Sequence, residues 1–178
     1  MRDKPLLVTA SIGLVVGAVL GMAGTFAPSA ALRGLAWGVD GVALVVAAAL
    51  LAVHHIRLGN DLVAGGYVVF AVGEGLILSG AAMDPVASIP SFGAGAGLWA
   101  ASLALVSAPR VMPAFVRGVG LIACVLFALH ALQVFAGRAL TPLSAPLPFL
   151  AYPFLAATLL AWAWVHLMGA GKLGRPTS

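Results

Sequence analysis

Six apolar stretches run along the chain, at 6–27, 35–55, 62–82, 92–108, 117–136 and 147–168, each parted from the next by proline, glycine or a charged turn. A helix needs roughly 20 apolar residues to cross a hydrocarbon core about 30 Å thick, and every stretch approaches that length. The breaks carry residues that stop helices: Pro28-Ser29, Arg57-Leu58-Gly59-Asn60-Asp61, Asp84-Pro85 with Pro90-Ser91, Pro109-Arg110 with Pro113, and Thr141-Pro142 with Pro146. Proline has no N–H to donate, and glycine tolerates the backbone turns in which helices end. The pattern predicts an all-α fold, one polytopic transmembrane bundle of six helices spanning residues 1–178. Pro153, one turn into the sixth stretch, is expected to kink that helix or to free a carbonyl for a partner.

Basic residues orient such a bundle, because Lys and Arg collect on cytoplasmic loops. An N-terminus inside places Arg2, Lys4, Arg57, Arg110, Arg117, Lys172 and Arg175 on the cytoplasmic side and leaves Arg33 and Arg138 outside. Both termini are therefore expected in the cytoplasm. The first stretch exceeds the roughly 7–15 apolar residues of a signal peptide and is read as a span.

Composition excludes whole classes. With 62% hydrophobic and 8% charged residues and a mean hydropathy of +1.12, the chain is far from a soluble globule, in which about 25% of residues are charged. The net charge of +4 comes from basic residues scattered singly between apolar runs, not clustered on the face a nucleic acid needs. The partner expected first is the lipid bilayer, and the compact Ala- and Gly-rich chain suits a bacterial cytoplasmic (inner) membrane. Cys124, alone within an apolar run, offers neither a disulfide nor a thiolate metal cluster. No phosphate loop, nucleophile elbow or zinc helix is present, which points away from enzymatic chemistry and from a metal.

Against this background Glu74 stands out, a carboxylate between Gly73 and Gly75 inside the third stretch. Placing an ionisable group at bilayer depth costs roughly 2.5–3.5 kcal/mol even on insertion scales, so such a residue marks a candidate site. Asp40 repeats the pattern in the second stretch and His130 in the fifth. At 1.5 Å per residue, Asp40, Glu74 and His130 lie about 8, 12 and 9 Å below the outer ends of their stretches, at one level. Trp37 shares a helical face with Asp40, Tyr67 with Glu74, and Gln133 with His130. Two acids in a low-dielectric site do not readily both carry charge. The set is expected to bind or pass a small solute or a proton, the activity of a transport protein.

Gly13, Gly17 and Gly21 recur every four residues, and Gly24 follows one turn later. Small residues at this spacing form a flat strip on which another helix approaches closely. That helix is expected in this chain, or else in a second copy or a membrane partner, in which case the protein is an accessory subunit with Glu74 as a clamp. His54 and His55 end the second stretch and His166 the sixth, among the headgroups; only one of the first two could share a site with His166, and such a pair could hold a haem b for electron transfer. Trp162, Trp164 and Tyr152 are expected as interfacial anchors.

Overall fold

The computed structural model describes residues 3–81 and 84–173; Arg2, Ala82, Arg175 and the Lys172 side chain, used above, lie outside that description. Six helices follow in order: α1 Asp3–Thr25, α2 Ala30–Arg57, α3 Asp61–Ala81, α4 Ile89–Ser107, α5 Ala114–Phe135 and α6 Tyr152–Leu173. All six are long and apolar enough to cross a membrane, which supports a multi-pass membrane protein.

Each helix packs on its neighbours in the chain, and α1 also packs on α6, so the six close into a ring in chain order, with α5–α6 the thinnest seam. Neighbours are antiparallel. One end of the ring, the mouth end, gathers the connections 26–29, 84–88 and 136–151; the opposite end gathers 58–60 and 108–113. Arg33 and Arg138 belong to the mouth end, and Lys4, Arg57, Arg110 and Arg117 to the opposite one.

The helix ends follow local chemistry. The Ser29 hydroxyl accepts the Leu32 amide at 3.3 Å and caps α2, which starts that helix five residues before the apolar run does. Gly59 (φ +71°) and Gly137 (φ +88°) end α2 and α5 in the left-handed conformation that glycine adopts freely. Arg117 donates to the carbonyls of Ser107 and Ala108 at 2.8 and 2.9 Å, satisfying the exposed end of α4. The sixth helix begins at Tyr152, not at 147: Pro146 and Pro148 sit in a turn-rich connection. Pro153 is consequently the second residue of α6, where its missing N–H has no helical partner to lose, and the expected kink does not arise.

The glycine strip of α1 faces α2 of the same chain. A β-carbon at Gly13 would lie 2.7 Å from the Ala43 carbonyl oxygen, and one at Gly21 2.9 Å from Asp40 Oδ2; Gly17 is filled by Leu44 and Gly24 by Trp37. The strip is thus occupied and is not a free docking surface for an accessory subunit. The closest backbone approach elsewhere joins α3 to α4, where a β-carbon at Gly95 would lie 2.8 Å from the Gly73 carbonyl oxygen.

Inside the ring, large side chains fill the middle of the bundle. Phe70 stacks on Trp99 (centroids 6.1 Å apart, planes 15°) and meets Trp162 edge-on, Trp162 meets Tyr67 at 5.1 Å, and Phe127 closes on Trp99 at 5.1 Å. Trp162 is fully buried in this aromatic plug, and Tyr152 turns inward, so neither is an interfacial anchor; only Trp164, 51% exposed, lies on the outside.

Candidate functional site

Above the plug the ring holds a cavity of about 120 Å³, lined by α1, α2, α3, α4 and α6 and reached from the mouth end past Pro85, Ser88, Pro142 and Leu143. Its floor carries both carboxylates singled out by the sequence. Glycine decides how they fit. The Asp40 carboxylate crosses from α2 to rest against Gly17 and Gly21 of α1, and Glu74 Oε1 crosses from α3 to within 3.3 Å of where a Gly41 β-carbon would be. Each acid thus occupies the space that a neighbouring helix leaves by lacking a side chain. They are close enough to act on one another's charge.

Burial is severe. Glu74 is 2% exposed and Asp40 8%, and Asp40 Oδ1 and Glu74 Oε2 have no hydrogen-bond partner among the described residues. A buried acceptor without a donor costs about 1–3 kcal/mol, more when charged. Trp99 lies beside the Glu74 carboxylate, but its indole N–H closes no well-formed hydrogen bond with it. Trp37 stands at the side wall with its own N–H given to the Gly21 carbonyl at 3.2 Å. Above it the Arg33 guanidinium lies 5.9 Å over the indole ring and donates to the Ala27 carbonyl at 3.4 Å.

The structure brings together Glu74, Asp40 and Trp37, and places the other three expected residues elsewhere. His130 is fully buried behind the wall, edge-on to Phe92 at 5.1 Å, with neither ring nitrogen partnered. Gln133 is tied at the end of α5, donating to the Leu129 carbonyl and accepting from Arg138 at 3.0 Å. Tyr67 lies seven residues below Glu74, about 10 Å along the axis, within the plug against Trp162. Equal depth was therefore no guide to direction around the helix. Trp99, Tyr152, Phe92 and Arg33 also line the pocket, and the sequence pattern alone does not mark them as site residues. Trp99 carried a signal: a tryptophan in the middle of an apolar run is out of place as an interfacial anchor.

Of the histidines at the opposite end, His54 is half-buried, whereas His55 and His166 turn inward, away from the headgroups expected to surround them. His55 and His166 are 2% and 5% exposed, with their Nε2 atoms 3.3 Å apart. His166 Nδ1 is 2.6 Å from the Trp162 carbonyl oxygen, Asn60 reaches His55 Nδ1 at 3.5 Å, and His55 stacks on Tyr67. With His166 Nδ1–H donating to the carbonyl, its Nε2 is left to accept from His55. The two rings meet directly, His55 and His166 hydrogen-bonding one another through their Nε2 atoms. Among the described residues no group of three or more His, Cys, Asp or Glu converges as a metal site would require. Comparison with family models, curated proteins and solved structures yields no match.

Proposed function

We propose that this protein takes a small solute from one face of a bacterial cytoplasmic membrane into the pocket and holds it at Asp40 and Glu74, as a carrier or channel does. The observation that supports this most is the pair of buried carboxylates with free oxygens on the floor of a cavity open at one end. A proton alone needs no such room; the cavity exceeds by several-fold the ~10–15 Å³ that one water occupies on the same measure. The mouth faces outward if basic residues follow the cytoplasmic rule, and the aromatic plug then separates the pocket from the cytoplasm.

Orientation is checked by cysteine placement in a Cys124→Ala background. Cysteines at Ser144 and Ala31 are expected to react with an impermeant thiol reagent from outside the cell, and one at Leu58 only after permeabilisation; the reverse pattern turns the pocket toward the cytoplasm. The pocket itself is checked with a hydrophobic carbodiimide, which modifies protonated acids within membranes. Mass spectrometry is expected to find the adduct on Glu74, to lose it in Glu74→Gln, and to find little on the exposed Asp84. Absence of the adduct from Glu74 in folded protein would mean a sealed clamp in place of a site.

A further inference from the structure

We propose that the ligand of this pocket is a small protonated amine, an ammonium group on a short apolar body; this rests on the pocket being a solute site. The first reason is a shortage of donors. The lining side chains that carry an O–H or N–H have mostly given it to backbone carbonyls: Thr25 and Trp37 to Gly21, Ser88 to Pro85 and Tyr152 to Pro142, at 2.7–3.2 Å. Asp40 Oδ1 and Glu74 Oε2 remain as acceptors without partners. What the floor lacks is an N–H, and one bearing positive charge answers a carboxylate best, because charge-assisted hydrogen bonds are roughly twice as strong as neutral ones. At the floor itself, among the described residues, anions and solutes that only accept find the Trp99 indole as a free donor, while the unpartnered Nε of Arg33 stands farther up, beside Trp37.

The second reason is independent of the acids. The walls present the rings of Trp37, Trp99, Phe92 and Tyr152, and aromatic faces attract cations through their quadrupole. The fold already uses one of them so: Arg33 places its guanidinium 5.9 Å over Trp37. That arginine does not neutralise the floor, since it stands seven residues from Asp40, about 10 Å up the same helix. The ion pair found among the described residues, Arg57 with Asp3, is at the opposite end. Two free oxygens on two helices favour an amine with several N–H bonds over a quaternary ammonium that has none, and the remaining apolar lining takes the alkyl part.

The test uses the full chain in detergent micelles and phosphate buffer, since common amine buffers are themselves candidate ligands. Butylammonium, butanol, butyrate and tetramethylammonium are titrated separately, with thermal stability and tryptophan fluorescence as readouts. Butylammonium is expected to raise Tm and change the fluorescence saturably, tetramethylammonium more weakly, and butanol and butyrate not at all. In Glu74→Gln and Asp40→Asn the butylammonium affinity is expected to fall about tenfold or more, the loss of one charged contact. The ranking of the four compounds on the wild-type chain decides the matter even if a variant fails to fold. Butanol acting as well as butylammonium, or butylammonium having no effect, overturns the proposal. In either case a Glu74 that still takes the carbodiimide keeps the pocket as a site for a neutral solute or a proton, whereas an unreactive Glu74 removes that site as well.

Discussion

Gly95→Leu is expected to destroy the folded bundle, while Gly75→Ala, two residues from the same contact on the facing helix, is expected to leave it intact or slightly more stable. A β-carbon at Gly95 would lie 2.8 Å from a backbone carbonyl of α3, and backbone cannot swing aside as the tip of a side chain can. The helices must then part, which separates Trp99 from Glu74 and opens the cavity wall. Overpacking alone costs about 1–3 kcal/mol, and a leucine forced between two backbones exceeds that range. Gly75 has nothing within 4 Å of its would-be β-carbon, so alanine there gains up to about 1 kcal/mol of helix propensity. Thermal unfolding and size-exclusion elution in mild detergent compare the two; a monodisperse Gly95→Leu protein of unchanged Tm would show that α3 and α4 do not meet at this glycine.

Trp162→Ala is the second change expected to have a large effect. Its indole is completely buried between Tyr67 and Phe70, and truncating a buried tryptophan costs about 3–5 kcal/mol. The loss also removes the centre of the plug, so vesicles carrying this variant are expected to leak protons, reported by an entrapped pH dye, whereas wild-type vesicles stay tight. Phe70→Leu thins the same plug with less damage to stability, and its vesicles are expected to leak at an intermediate rate. Tight vesicles with both folded variants would mean that the barrier lies elsewhere in the ring.

Much of this architecture was readable because membrane helices advertise themselves by length. The six apolar runs, the prolines and glycines that end them, and the two buried acids need no tertiary information. Directions around each helix were less readable, because lipid and protein interior are both apolar and no polar stripe separates them. A subtler signal existed in side-chain size. In α2 the exposed positions include Val39, Val42, Val46 and Val53, while Gly41, Ala47, Ala48 and Ala52 face other helices. Small residues admit close backbone approach and valines do not, so size can stand in for polarity here. That pattern would have directed Asp40 inward from sequence. Nothing comparable directs His130, whose neighbours on α5 are mixed in size, and depth alone relates it to the acids. The turns of 136–151 were hidden for another reason. Apolar residues at 147–151 look like the start of a span, and only Pro146 and Pro148 together delay the helix to Tyr152.

The closed ring in chain order has a consequence for how the protein is made. Among the described residues, backbones of consecutive helices pack together and α1 packs on α6, while across the ring side chains of α6 reach α2 and α3. Each new hairpin can therefore dock on the one before it as the chain is synthesised, with little searching over distant pairings before the last helix arrives. Asp40, Glu74 and Trp99 all belong to the first four helices, and the acids therefore come together while one side of their floor still faces lipid. Arrival of the last helix seals that side, as the Ser11 hydroxyl donates to the Ala163 carbonyl at 3.2 Å and Tyr152 and Leu155 complete the cavity wall. During synthesis the acid pair thus passes through an interval, between the fourth and the sixth helix, without its final shelter.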